Sequence, residues 1–227
     1  LRKLLLNNTN IREIIEYTEK DKVFLGVTQA LTTITFEKTN SLPRQNLFIK
    51  TSKHGVSTVN QKSFYGSDDL EFIPINSIIK KMQKNERKFQ DIIEGFQGEI
   101  NVSTKKEHFC NKPQKGLVPL LRGNLVFRYN FIEPSEYCPL EIDTRKHWKL
   151  SRLVFQEVSN QAQPRRIKAT LIEPNYLCGH TTNYCFVKQG VICDLLFLLG
   201  ILNSSLVNYY FKYFNNTNHV PIGEIKK

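Results

Sequence analysis

Residues 116–129, which read GLVPLLRGNLVFRY, most constrain how this chain can fold. An apolar run stands there directly beside two arginines, an asparagine and a tyrosine, with Gly123 between the two halves. Apolar residues anchor a segment in a hydrophobic core, whereas Arg122, Asn124 and Arg128 have side chains that can contact phosphates or base edges. The pattern therefore predicts a core segment that leads through a glycine turn into a polar, ligand-facing loop.

The rest of the composition is that of an ordinary globular protein. The 227 residues are 40% hydrophobic and 23% charged, which suits one large domain or two small ones. The longest apolar run, residues 191–202, contains Cys193 and Asp194 and is well below transmembrane length, so we expect no membrane partner. The chain has no initiator methionine and opens inside a helix-like stretch, so we expect a fragment excised from a longer protein.

The formal net charge of +11 points to a polyanionic partner, nucleic acid first and an anionic membrane surface second. A solvated basic surface, or one that faces an acidic neighbouring domain, would explain the same charge. The five cysteines are odd in number and contain no C-x-x-C pair, so neither a disulfide framework nor a zinc site is indicated. We expect buried, reduced thiols in a cytosolic protein.

Hydrophobic periodicity predicts an α+β fold, with mixed sheets and packing helices. Helices are expected over residues 1–17, about 78–96, and 195–214. Strands are expected over residues 23–36, 48–51, 56–59, 99–103, 150–158, 167–172 and 183–188, and residues 37–47 are expected to form a linker. The helix over residues 195–214 has the clearest pattern, and we expect it to pack in the core rather than lie on a membrane.

Motifs for catalysis are largely missing. The sequence contains no glycine-rich phosphate loop, no G-x-S-x-G elbow and no zinc-deaminase signature. Glu141 and Asp143, with Lys146 close by, are the best candidates for a magnesium-dependent nuclease site, and the acidic residues 68–71 form a weaker one. Neither pattern marks the further acid that such a site needs. We therefore predict no catalytic and no metal-ligating residues, and keep the nuclease as an alternative.

The basic residues are better organised. They accompany the single tryptophan, precede a predicted strand, or lie in predicted loops, and an interleaving of basic, aromatic and amide side chains is typical of nucleic-acid binding. The members of this set are Lys105, Lys106, Arg122, Arg128, Arg145, Lys146, Lys149, Arg152, Arg165, Arg166 and Lys168. A module that binds an acidic protein through the same basic face is the other alternative.

Two neighbouring motifs resemble a known family. GEINVSTKKEHF at residues 98–109 and PLLRGNLVFRY at residues 119–129 resemble the TaqI-like C-terminal specificity domain, the target recognition domain of N6-adenine DNA methyltransferases and of single-chain type II restriction–modification enzymes. PRRIKAT at residues 164–170, CGHTTN at 178–183 and LLGILNSSL at 198–206 are similar to later segments of that family in the same order. Residues 1–38 resemble the end of an adenine methyltransferase domain, which would make residues 39–227 the recognition domain.

The resemblance implies sequence-specific binding of double-stranded DNA beside an N-terminal methyltransferase domain of the same parent chain. It also implies S-adenosylmethionine as the parent's methyl donor, with magnesium if the parent has a nuclease domain. The motifs that bind the methyl donor and the flipped adenine are missing from this sequence, so we expect no methylation by this chain alone.

The DNA contacts that the resemblance implies comprise basic side chains and a few polar ones. They are Lys105, Lys106, Arg122, Asn124, Arg128, Arg145, Lys146, Arg165, Arg166, His180, Thr182 and Asn183. Each has a structural alternative; Arg122 and Asn124, for example, could instead stabilise the turn around Gly123.

Overall fold

The computed structural model of this chain describes residues 1–17, 21, 23–25, 31–39, 46–52, 54–66, 72–73, 76–143, 145–215 and 217–227. The chain divides into two units, Leu1–Lys84 and Asn85–Lys227. The fold class is α+β, as predicted, with several sheets and short packing helices.

The first unit is built around a four-stranded sheet in the order β2-β1-β3-β4. Strand β1 pairs antiparallel with β2 and parallel with β3, and β3 and β4 form an antiparallel hairpin. The elements are α1 (Arg2–Asn8), β1 (Thr9–Tyr17), β2 (Leu31–Lys38), β3 (Asn46–Thr51), β4 (Gly55–Asn60) and α2 (Ser77–Gln83).

One face of this sheet is buried because apolar residues alternate along its strands. Leu47 and Ile49 of β3 are fully buried and pack with Leu6 of α1 and Phe64. Gln61 is buried among them and closes the core: its amide nitrogen donates to the carbonyl oxygens of residues 6 and 9, and its oxygen accepts from the backbone of residue 11. A buried amide satisfied at three points holds the start of β1 against the rest of the unit.

The predicted domain boundary at residues 38/39 falls inside this sheet. Strand β1 pairs with β2 before that point and with β3 after it, so the sheet spans the predicted junction. The division observed in the structure lies between Lys84 and Asn85. The assignment of residues 1–38 to the end of a methyltransferase domain stays a prediction.

The helix predicted over residues 1–17 is wrong in its second half. The helix ends at Asn8, and Thr9 begins a nine-residue strand. Asparagine and threonine are weak helix formers, and the β-branched Ile11, Ile14 and Ile15 gain partners on both sides of the strand.

The other predictions for the first unit fare better. The hairpin strands over residues 48–51 and 56–59 are confirmed within β3 and β4, although Lys53 of the predicted turn lies outside the described residues. The strand predicted over residues 23–36 begins only at Leu31; residues 23–25 form a bend and a turn, and 26–30 lie outside the described residues. Strand residues also occupy both ends of the predicted 37–47 linker, of which 40–45 are not described.

The second unit contains a four-stranded antiparallel sheet in the order β11-β10-β13-β5, a three-stranded sheet in the order β12-β6-β9, and the hairpin β7-β8. Its elements are α3 (Phe89–Ile92), β5 (Ile93–Gln97), β6 (Leu117–Leu121), β7 (Val126–Phe127), β8 (Asn130–Phe131), β9 (Tyr137–Pro139), β10 (Arg152–Gln156), β11 (Ala169–Ile172), β12 (Leu177–Cys178), β13 (Thr182–Val187), α4 (Leu195–Leu202), α5 (Ser205–Phe214) and α6 (Ile222–Ile225).

Both faces of the four-stranded sheet are covered, because alternate residues of each strand point to opposite faces. Phe155 of β10 and Cys185 of β13 pack with α4 and α5 on one face. Val154 and Tyr184, one residue earlier in each strand, pack on the other face against a cluster that includes Leu121. The strands predicted over residues 150–158, 167–172 and 183–188 are confirmed in this sheet, with shorter bounds.

The long helix predicted over residues 195–214 is two helices. Asn203 ends α4 and uses its side chain to donate to, and accept from, the backbone of Ala169. Ser204 caps α5 by accepting a hydrogen bond from the Val207 amide. The apolar spacing continues through this break, so periodicity alone does not reveal it.

The predicted helix over residues 78–96 and the predicted strand over 99–103 are also wrong. The first region is divided among α2, α3 and the edge strand β5, where Gly95 lies so close to Ile222 that a Cβ would be 2.5 Å from its Cδ1 atom. In the second region only Ile100 pairs, through a single parallel bridge to Gly179.

No single helix among the described residues is long and apolar enough to cross a membrane; α4 and α5, bent by 56°, meet the test together by length and composition only. The five cysteines, all of them described, are free thiols. Burial raises the pKa of Cys138, Cys178 and Cys185 to about 12.

Candidate nucleic-acid interface

Four strand ends of the second unit meet at one edge of the four-stranded sheet. Strand β5 ends at Gln97, which lies opposite Asn183 near the start of β13, and β10 ends at Gln156, opposite Thr182. Strand β11 begins at Ala169 beside the same end of β10. The loops that enter and leave these strands therefore lie along one edge.

We call this edge the loop rim, and it comprises residues 97–103, 122–129 and 179–182 with Arg145 and Lys146. Its centre is a set of backbone contacts to residues 179–182. The Gln97 amide donates to the His180 carbonyl oxygen (2.8 Å), and the His180 N–H donates to Ile100 (2.7 Å). The Nδ1 atom of His180 accepts from the Val102 N–H (3.2 Å). These contacts join two loops that are about 80 residues apart in the sequence.

Gly123 joins a third loop to the rim, by a contact that requires glycine. Its N–H donates to Thr181 Oγ1 (3.0 Å), and a Cβ at this position would lie 2.2 Å from the Thr181 carbonyl oxygen. The turn expected around Gly123 is thus confirmed, and its cause is the close approach of two backbones. Asn124 follows immediately and is exposed.

Arg122 is on the rim but already has an anionic partner. Its Nε lies 2.5 Å from one oxygen of Glu136, and Nη2 donates to the other oxygen at 2.9 Å. The guanidinium also lies 5.9 Å from the centre of the Phe109 ring. This ion pair holds the guanidinium against Glu136, so Arg122 has a structural role here in addition to any contact with a ligand.

The loop that carries Arg145 and Lys146 is held from below by Asp143. That carboxylate is buried, and its two oxygens accept the backbone N–H groups of Arg145 and Lys146, both at 2.9 Å. Lys146 takes up a left-handed conformation (φ 60°). Arg145 donates to the Gln97 carbonyl oxygen (3.2 Å), and its guanidinium lies 5.7 Å from the centre of the Phe96 ring. Both basic side chains are exposed.

An aromatic cluster lies beneath this loop. The His147 ring is 4.7 Å from Phe96 and 4.9 Å from Phe186 between centroids, and its Nδ1 atom is 3.0 Å from the Tyr184 hydroxyl. Burial lowers the pKa of His147 and raises the pKa of Tyr184. The cluster therefore favours a neutral imidazole under an otherwise basic loop.

The remaining exposed basic candidates lie on or beside the rim. Arg128 is exposed over the ring of Tyr129 (4.9 Å), and Tyr129 is held in a left-handed conformation by the hydrogen bond from its N–H to Ala169 (2.8 Å). Lys105 and Lys106 are exposed in the segment that follows residues 97–103. Together with Asn124, Arg145 and Lys146, these residues give the rim its accessible polar and basic side chains.

Arg166 has a structural role in this fold, and its assignment as a DNA contact stays a prediction. Its side chain is buried and donates to the carbonyl oxygens of Thr217 (2.9 Å) and His219 (3.0 Å) and to Asn215 Oδ1 (3.3 Å). Arg165 is half-buried and donates to the Asn203 carbonyl oxygen at the end of α4 (2.8 Å). Both arginines satisfy backbone groups at the break between the two helices and near the C-terminus.

Thr182 and Asn183 also have structural roles, and their assignment as DNA contacts stays a prediction. Both are buried; Thr182 donates to the Gly179 carbonyl oxygen (2.7 Å) and Asn183 to the Val220 carbonyl oxygen (2.8 Å). They shape the rim from inside. His180 is half-buried, and its imidazole is fixed by the Val102 hydrogen bond described above.

Sequence reasoning missed three residues that position the rim, namely Gln97, Phe96 and Asp143 in its supporting role. A local signal for Asp143 was present in the sequence. An aspartate often accepts hydrogen bonds from the backbone amides two and three residues later, as in an Asx-turn. No local signal marks Gln97 or Phe96, because their partners are distant in the sequence.

The geometry does not support the nuclease alternative. Both oxygens of Asp143 accept backbone hydrogen bonds, whereas Glu141 is exposed to solvent. Within the described part of the chain, no group of three or more His, Cys, Asp or Glu residues could hold a metal ion. The weaker acidic candidate, residues 68–71, lies outside the described residues.

We compared the chain with curated proteins and with solved structures. No curated protein matches the chain. Two solved structures that match are those of the type IIL restriction–modification enzyme MmeI in complex with DNA (TM-score 0.45, 11% identity, 87% of this chain and 31% of that chain) and of the type IIG restriction endonuclease BpuSI (TM-score 0.42, 10% identity, 100% of this chain and 37% of that chain). This chain thus spans about a third of the length of those proteins.

The family comparison matches the model of the TaqI-like C-terminal specificity domain over residues 118–227. The matched segment contains most of the loop rim and all strands of the four-stranded sheet except β5. Residues 118–227 are therefore similar to the TaqI-like C-terminal specificity domain.

Proposed function

We propose that this chain binds double-stranded DNA and selects the target sequence for a bacterial type II restriction–modification or adenine-N6 DNA methyltransferase protein. The observation that carries the proposal is the loop rim. Exposed basic side chains of one specificity-type domain converge on a single edge, at the ends of four strands, in a chain of net charge +11. Such an edge suits a duplex whose phosphates bind cations and whose grooves admit loops.

In this proposal the rim residues have different tasks. Arg128, Arg145 and Lys146, with Lys105 and Lys106 beside them, contact phosphates and fix the position of the duplex. Asn124 is exposed at the tip of the Gly123 turn, and its amide can pair with the two major-groove positions of adenine. Arg122 holds that turn through Glu136.

The parent protein supplies what this chain lacks. An N-terminal methyltransferase domain with bound S-adenosylmethionine forms the other side of the DNA cleft, and a nuclease domain, where the parent has one, uses magnesium. The protein acts in the bacterial cytoplasm and has no membrane partner. Catalysis lies outside this chain in each of these arrangements.

The direct test is a titration of the full 227-residue chain against fluorescent duplex DNA of random sequence over a salt series. We expect log affinity to fall linearly with log salt, with a slope of about −0.9 for each phosphate neutralised. A slope near zero would reject DNA binding. Binding of the chain to an acidic protein, without binding to duplex, would favour the interaction-module alternative.

Sequence selection needs a second measurement, because a salt-dependent slope alone fits a nonspecific binder. Repeated selection from a randomised duplex pool should enrich one sequence for the wild type. Asn124→Ala should keep the salt slope and lose the preference at one base pair, by about 1–3 kcal/mol. Equal enrichment of all sequences by the wild type would leave only nonspecific binding.

A further inference from the structure

Asp143 has an unusual position for an acidic residue in a basic surface loop. It is only 7% exposed, and each of its carboxylate oxygens accepts one backbone N–H, from Arg145 and from Lys146. The carboxylate thus contacts the backbone of the two residues whose side chains are exposed. It therefore holds Arg145 and Lys146 through their backbone.

The same loop is fixed at three further points. Arg145 donates to the Gln97 carbonyl oxygen and lies over the Phe96 ring, which restricts the guanidinium to the rim. Lys146 is held in a left-handed conformation that a lysine rarely adopts. His147, the next residue, lies in the aromatic cluster with its Nδ1 atom 3.0 Å from the Tyr184 hydroxyl. Residues 145–147 therefore have fixed contacts with the protein that do not depend on a ligand.

Two exposed cations on a backbone with fixed contacts have a chemical consequence. Lys and Arg lose rotamer freedom when a ligand fixes them, and loop ordering adds to this cost when the ligand binds a mobile segment. Ordering the backbone in the free protein removes part of that cost. The arrangement suits a compact, doubly accepting anion such as a phosphodiester.

We propose that Asp143 is a positioning residue for a preformed phosphate contact, in which Arg145 and Lys146 bind one backbone phosphate of duplex DNA. This inference rests on the proposed function. It gives Asp143 a role that supports DNA binding, although its negative charge by itself would repel DNA. Asp143 does not touch the phosphate; it acts through the two backbone amides.

The test compares two variants that each remove one negative charge from the same short segment. Asp143→Ala removes the buried carboxylate, and Glu141→Ala removes the exposed one two residues away. We expect Asp143→Ala to weaken binding of the full chain to random duplex DNA about tenfold at low salt, because the two cations lose their fixed positions. Glu141→Ala should stay within about twofold of the wild type or bind slightly more tightly.

A double-mutant cycle separates positioning from general loss of structure. In a chain that carries both Arg145→Ala and Lys146→Ala, adding Asp143→Ala should change the duplex affinity by less than about twofold, because the groups through which it acts are gone. Asp143→Asn, whose amide oxygen can still accept one of the two backbone N–H bonds, should give an intermediate affinity. Circular dichroism and thermal unfolding of each variant provide the folded fraction to which affinities are referred.

Two results would overturn the proposal. One is equal affinity for Asp143→Ala and Glu141→Ala, which would mean that only net charge matters. The other is an undiminished effect of Asp143→Ala in the double-alanine background, which would mean that it acts elsewhere in the fold. A wild-type chain with no salt-dependent binding to duplex would instead reject the proposed function itself.

Discussion

The second unit contains two pairs of consecutive basic residues, Arg145–Lys146 and Arg165–Arg166, whose side chains have opposite environments. In the first pair the backbone amides are bound to Asp143, and both side chains are exposed, with one bond from the Arg145 guanidinium to the Gln97 carbonyl oxygen. In the second pair the guanidinium groups themselves donate to backbone carbonyl oxygens, and Arg166 is 1% exposed. The sequence pattern of basic residues beside a strand is the same for both.

The comparison shows that a basic residue is available to a ligand only where the fold leaves its side chain exposed. The break between α4 and α5 and the chain near its C-terminus present carbonyl oxygens that no helix or strand satisfies, and Arg165 and Arg166 supply the donors. Beside Arg145 and Lys146 the backbone groups that need partners are N–H donors, and the Asp143 carboxylate accepts their hydrogen bonds. The net charge of +11 therefore overstates the charge that faces a ligand.

The largest effect that would sharpen this comparison is on stability. Arg166→Met keeps an apolar stem but leaves two carbonyl oxygens and the Asn215 oxygen without their buried donor, which should lower the free energy of unfolding by about 2–4 kcal/mol. Urea unfolding followed by the fluorescence of Trp148, the single tryptophan and a residue of the second unit, measures it. A loss below about 0.5 kcal/mol would show that these hydrogen bonds are replaced by water.

The second effect is on binding rather than stability. Arg145→Ala with Lys146→Ala should weaken binding to duplex DNA by roughly tenfold to a hundredfold at low salt, with a salt slope smaller by about two. The free energy of unfolding should change by less than about 0.5 kcal/mol, because both side chains are exposed.

Arg165→Ala is the matched control for this prediction. It also removes a positive charge, but one that is tied to the Asn203 carbonyl oxygen, so the salt slope should stay at the wild-type value. If Arg165→Ala lowers the slope as much as the loop variants do, the two basic pairs do not differ in their access to DNA.

Local patterns predicted the parts of the fold that depend on neighbouring residues. The strands with dense β-branched and aromatic residues, such as β10 and β13, were predicted at nearly their observed positions, as were the hairpin strands β3 and β4. Gly123 also followed from the sequence as the centre of a turn. In each case the periodicity and the turn chemistry were contained in about ten residues.

The failures depend on distant partners. Residues 9–17 form a strand because β2 and β3 pair with them, and the long helix breaks at Asn203 because its side chain binds Ala169, 34 residues earlier. Thr182 and Asn183 appeared to be loop residues of a polar motif, yet their side chains are enclosed by Gly179 and Val220. A single sequence contains no record of such pairings, so the burial of Arg166 could not be read from it.

The smallest predicted effect is a pH dependence of stability that comes from His147, the residue after the exposed pair Arg145–Lys146. His147 follows Lys146 directly and packs on Phe96, and burial holds its pKa below the ordinary value of 6.5, with Glu99 and Asp143 opposing the shift and Arg145 and Arg152 adding to it. Because the folded pKa lies below the unfolded one, the unfolded chain binds the proton more readily. The stabilisation that His147 provides is therefore complete above about pH 6.5 and decreases as the pH falls below that value.

Thermal unfolding at pH 8 and pH 5.5 should show a larger loss of Tm for the wild type than for His147→Gln, which cannot titrate. Equal losses would mean that the 143–147 loop contributes to the surface charge and not to the pH dependence of stability.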